Sequence, residues 1–94
     1  MIRVLIPYHL RVLAKVDGEL QLEVPLPATI GAVLDAIEER FTALQGAIRD
    51  HQSKARRPFI RYFVCEQDWS IEPAEKSLPE AVISGAEPFW IVGA

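Results

Sequence analysis

The chain opens on an apolar run, Ile2 to Pro7, broken only by Arg3. Proline has no N–H to give a sheet ladder, so this pattern predicts a strand that ends near Pro7. Tyr8 to Ala14 suits a helical turn or a continued strand equally well. Asp17-Gly18 is a strong turn signal. Glu19 to Val24 then alternates, with Leu20, Leu22 and Val24 on one face and Glu19, Gln21 and Glu23 on the other. That period predicts a half-solvated strand at a sheet edge.

Pro25 and Pro27 close this strand, and Thr29 supplies a hydroxyl that can cap a helix. Ile30, Val33, Leu34, Ile37 and Phe41 repeat at the spacing of one helix face, while Asp35, Glu38, Glu39 and Arg40 fall opposite. Leu44 and Ile48 suggest a further short turn before the basic loop Lys54-Ala55-Arg56-Arg57-Pro58. Phe59 to Cys65 is rich in aromatic and β-branched residues and reads as a strand. Glu66 to Pro79 reads mostly as loop, and Phe89 to Val92 as a final short strand.

Two strands, one long helix and at least two more strands predict an α+β fold with a helix over one sheet face. A β-grasp (ubiquitin-like) mixed sheet with one main helix fits this order. The chain's 94 residues, 1–94, suffice for a single domain.

The strands are apolar on both sides. In the first, Ile2, Val4 and Ile6 oppose Leu5 and Pro7; in the third, Ile60, Tyr62 and Val64 oppose Phe59, Phe63 and Cys65. In the last, we set Trp90 and Val92 toward the helix and Phe89 and Ile91 away from it. One helix covers one face. The other is then left with Leu5, Pro7, Phe59, Phe63, Phe89 and Ile91. Such a cluster would expose an apolar patch on the order of a few hundred Å², large for a lone monomer. Burying it would be worth several kcal/mol at roughly 25 cal/mol per Å², before association costs. The expectation is a surface for a partner or for self-association. The plainer alternative is that Glu66 to Pro79 folds over this face.

Charge and composition narrow the classes. Ten Lys and Arg against 13 Asp and Glu give a net charge of −3, which disfavours sequence-independent nucleic-acid binding. No apolar run approaches the roughly 18 residues of a membrane span, and the amino terminus has no signal-peptide pattern. A single cysteine, Cys65, allows no internal disulfide and points to a reducing compartment, with the cytoplasm expected.

Candidate chemistry is sparse. Cys65 has no recognisable histidine partner in a nucleophile signature and is better explained as a small packed residue. His9 and His51 lack metal-ligand spacing, and the four cysteines of an iron–sulfur site are absent. Lys54, Arg56 and Arg57, with Arg49, form a basic loop that reads as a solvated connector before it reads as a contact for an acidic partner. Asp68, Glu72 and Glu75 sit in a loop with nothing to fix a carboxylate pair. Gly31 and Gly85 are isolated, so no phosphate-binding loop is present. No metal, no bound cofactor and no catalytic residue is expected.

Several stretches, in order, resemble the MoaD/ThiS family of sulfur-carrier proteins over nearly the whole chain. They are Ile2-Arg3-Val4-Leu5-Ile6, Leu10-Arg11-x-Leu13-Ala14, Asp17-Gly18-Glu19, Thr29-Ile30-Gly31-Ala32-Val33-Leu34-Asp35, Leu78-Pro79 and Gly85-Ala86-Glu87. The resemblance implies a carrier that holds sulfur as a thiocarboxylate on a C-terminal glycine. An E1-like partner enzyme would use ATP to adenylate the terminus, and a molybdopterin-synthase large subunit or similar acceptor would receive the sulfur. It also implies that residues equivalent to Pro7 and Ile91 lie on the docking surface. Glycine suits a threading tail because no Cβ restricts the backbone.

The family ends in Gly-Gly, whereas this sequence ends Gly93-Ala94. An ungapped match from Glu87 sets Gly93 where the family usually has proline. Two residues past Val92 reach at most roughly 7 Å. The expectation is therefore a natural chain that continues past Ala94, or a β-grasp interaction module that kept the docking face without the chemistry. A thiol enzyme built on Cys65 ranks last.

Overall fold

The computed structural model describes residues 1–93. Five strands form one sheet in the order β2-β1-β5-β3-β4: β1 Ile2–Leu5, β2 Leu20–Leu22, β3 Ile60–Val64, β4 Gln67–Asp68 and β5 Phe89–Gly93. β1 and β5 run parallel at the centre, and every other pairing is antiparallel. With α2 (Ile30–Arg40) laid across one face, this is a β-grasp fold.

Tyr8–Ala14 is a helix, α1, inserted between β1 and β2. Pro7 cannot continue the ladder, but its carbonyl accepts the first helical hydrogen bonds, from the N–H groups of Leu10 and Arg11. Lys15 ends it in the left-handed conformation at φ 59°. The helix α2 starts at Thr29, whose hydroxyl accepts from the Ala32 N–H at 3.0 Å. Its Ile30, Val33, Leu34 and Ile37 are buried against the sheet. A short 3-10 turn at Thr42–Leu44 and Ile48 extend that core.

Glu66 to Pro79 is more ordered than its composition suggests. It contributes β4 and buries Trp69, over whose ring the Lys76 ammonium sits at 4.4 Å. The Ala74 and Lys76 carbonyls accept from the Gly31 and Ile30 N–H groups, and the Leu78 N–H donates to Ala28. These bonds tie the segment to the start of α2, on the helix side of the sheet. A last helix, α3, spans Glu80–Ile83. It ends at Gly85, where φ is +86° and a Cβ would lie 2.8 Å from the Met1 carbonyl oxygen, so glycine is required there.

Candidate functional site: the open sheet face

Strand register decides which apolar residues meet the helix. Val4 pairs with Phe89, Phe89 with Val64, and Tyr62 with Ile91, and all five are buried. Partners in a ladder share a face. Phe89 and Ile91, 0% and 1% exposed, therefore belong to the core and not to the open surface, which corrects the expectation for these two residues. Every residue from Phe89 to Val92 is apolar, so the sequence holds no alternation from which the phase of β5 can be read.

The open face instead carries Trp90 and Val92. Leu5, Trp90 and Phe63 stand in one row across β1, β5 and β3, and Val92 stands beside Arg61 in the next. Leu5, Phe63 and Val92 are half-buried, and Trp90 is 46% exposed. Phe63, Cys65, Pro88, Trp90 and Val92 line a cleft of about 410 Å³ together with Glu66 and Glu87. Because Glu66 to Pro79 is anchored on the helix side, the row stays uncovered. Sequence reasoning missed Trp90; its signal was the register against Leu5, which needs the parallel pairing to be read.

Pro7 and Phe59 lie toward the end where β5 leaves the sheet. Pro7 is half-buried and Phe59 is 76% exposed. Gly93 pairs with Ile60, and a Cβ on it would come 3.2 Å from the Phe59 carbonyl oxygen and 3.8 Å from His9 Cε1. Ala94, the other tail residue of interest, lies outside the described residues.

The basic loop is largely bonded within the fold. Arg49 is buried on the helix side, where Nε and Nη2 donate to the two Glu38 carboxylate oxygens at 2.9 and 3.0 Å and Nη2 also reaches Asp35. Burial pulls its pKa down, but hydrogen bonds to Glu38 and Asp35 outweigh that and hold it above the usual range. Glu38, placed by periodicity on the solvated side of α2, is thus buried in an ion pair. Arg56 donates to the carbonyls of Ser70, Ile60 and Arg57, and Arg57 to that of Gly46. Asp68 is held below the usual carboxylate range by the hydroxyl and then the N–H of Ser70. Glu72 pairs with Lys76 at 3.2 Å, while Glu75 is exposed.

Cys65 is exposed at the tip of the β3–β4 hairpin. Among the described residues, no group of three or more His, Cys, Asp or Glu side chains is placed to hold a metal ion. None of their helices is long and apolar enough to cross a membrane.

No protein-family model and no curated protein matches the sequence. Solved structures do. The chain is similar to SAMP1 from Haloferax volcanii, at 14% identity and a TM-score of 0.75, over 98% of this chain and 92% of that one. A second crystal structure from that organism, of small archaeal modifier protein 1, matches at 15% identity and a TM-score of 0.72, over 97% and 93%. A chain of the Amycolatopsis orientalis BexX/CysO complex matches at 18% identity and a TM-score of 0.76, over 100% and 96%. At these identities the likeness establishes the architecture: the chain has the β-grasp fold of these proteins from end to end.

Proposed function

We propose that this chain is a sulfur carrier that acts with partner enzymes, of the type that serves as the small subunit of molybdopterin synthase. Its C-terminal carboxylate would be adenylated by an activating enzyme that consumes ATP and releases pyrophosphate. A sulfur nucleophile then attacks the acyl carbon, AMP leaves, and a thiocarboxylate remains for delivery to an acceptor enzyme. The carrier itself supplies a handle and a tail. One observation carries this reading: β5 is held between β1 and β3, and its open face runs from the uncovered row of Leu5, Trp90 and Phe63 past Val92 to Gly93, roughly 10 Å further along the strand. A partner seated on that row and extending along β5 would reach the departing chain. The neighbour from the BexX/CysO complex supports a partner-dependent role. ATP and a free exposed thiol on Cys65 suit a reducing cytoplasm.

The test is the intact mass of the full-length protein after incubation with its activating enzyme, ATP and a sulfur donor. A gain equal to the replacement of oxygen by sulfur is expected. No gain on a chain with a verified diglycine terminus defeats the reading.

The open row also stands without reference to the terminus, which favours a second reading as an interaction module. Deleting residues 93–94 then leaves partner binding and biological activity intact, whereas a carrier loses activity.

A further inference from the structure

The cleft beside Trp90 has apolar walls and an acidic end. Phe63, Pro88, Trp90 and Val92 form the walls, and Glu66 and Glu87 stand with them. Both glutamates are exposed, and neither makes a direct ion pair among the described residues; Arg3, which pairs with Glu19, lies near enough to Glu87 to offset part of its charge, and Glu66 has no such neighbour among those pairs. Arg61, across from Val92, sits toward the other end of the face. Two carboxylates of like sign at one end of an apolar cleft attract a cation, an attraction that solvent moderates at these exposed groups.

An aliphatic stem that ends in a cation satisfies every part of this cleft. Lys and Arg lay their methylenes along apolar walls and keep the head group polar. Indole offers the best aromatic face for a cation, and carboxylates form charge-assisted hydrogen bonds with it. We propose that the cleft receives a lysine or arginine side chain of a partner protein, with its stem on Trp90 and Phe63 and its head group at Glu66 and Glu87. This rests on the docking reading of the open face and states what the partner must bring.

A second copy of the chain fits less well. A symmetric contact would bring a second Glu66 and Glu87 to the same face, and each copy carries a net charge of −3, so the acidic end would meet its own sign.

The test is an NMR titration of isotope-labelled full-length protein with two blocked dipeptides, acetyl-leucyl-arginine amide and its uncharged citrulline counterpart. The arginine probe should shift the Trp90 indole N–H and the amides of Cys65, Glu66 and Glu87. It should bind at least about threefold tighter than the citrulline probe, the size expected from exposed ion pairs. Glu66→Gln with Glu87→Gln should close that gap, and Trp90→Ala should weaken both probes. Equal binding, or shifts centred elsewhere, overturns the proposal. So does sedimentation that shows a dimer abolished by Trp90→Ala, because a second copy would then be the occupant. Sulfur acquisition is read separately by mass, so each proposal can fail without the other.

Discussion

Phe89 and Trp90 are adjacent, large and aromatic, and the sheet sends them to opposite environments. Phe89 is fully buried under α2, its ring 5.7 Å from that of Tyr62, while Trp90 remains 46% exposed between Leu5 and Phe63. The helix side is closed by the chain's own parts: α2, the anchored segment through Leu78, and a buried ion pair. The open side has similar residues and no cover. The same strand thus turns one face into core and leaves the other open to solvent. Substitution of each neighbour tests the division. Phe89→Ala should cost about 3–5 kcal/mol. Trp90→Ala, which loses partly solvated contacts, should cost about 1 kcal/mol or less. Urea denaturation measures both, and similar losses would erase the distinction between the faces.

Charge follows the same division. On the helix side, the Arg49 and Glu38 side chains are only 4% and 7% exposed, and they meet in a two-pronged pair. On the open side, Glu66 and Glu87 face solvent. Glu38→Gln leaves Arg49 buried with only Asp35 as its charged partner at hydrogen-bonding distance, and should cost about 3 kcal/mol. Replacing both members, Glu38→Leu with Arg49→Met, should recover most of that loss in the same denaturation experiment. Glu87→Gln should change stability by less than about 0.5 kcal/mol.

The sequence made the helix side more legible than the open side, for physical reasons. α2 was readable because a polar face alternates with an apolar one, and β2 because Gln21 separates Leu20 from Leu22. At β5 this contrast vanishes, so only the pairing of Val4 with Phe89 fixes the phase. Glu38 misled because a charged residue at a helical surface position is ordinarily solvated; its partner Arg49 lies beyond the helix and arrives through tertiary folding. The hairpin at Cys65-Glu66 has no glycine or asparagine to announce it. The open-face residues Leu5 and Phe63 were accessible to alternation, whereas Trp90 required register.

Tyr62 offers a pH test of how dry the helix side is. Burial first of all pushes its phenol up to about 12. The unfolded phenol titrates near 10. Between these values the unfolded chain loses a proton that the folded chain keeps, so stability falls as pH rises. The contribution is fully present below about pH 10 and gone by about pH 12, a loss on the order of 2 kcal/mol. Tyr62→Phe should remove this part of the alkaline slope in urea denaturation followed across that window.

A smaller effect concerns the rim of the open face. Val64 pairs with Gln67, so Cys65 and Glu66 form a two-residue hairpin loop, and their φ angles are 48° and 66°. Positive φ at both positions is the type I′ turn, whose usual residues are Asn and Gly. A non-glycine residue there costs roughly 1–2 kcal/mol. Glu66→Gly should therefore stabilise the protein by about 1 kcal/mol and raise Tm by roughly 4–8 °C. The same substitution removes one of the two carboxylates at the cleft and should weaken its preference for the arginine probe. A gain in stability with a loss of recognition would show that strain is retained where the open face needs a charge. A gain with recognition unchanged would leave Glu87 as the carboxylate that matters.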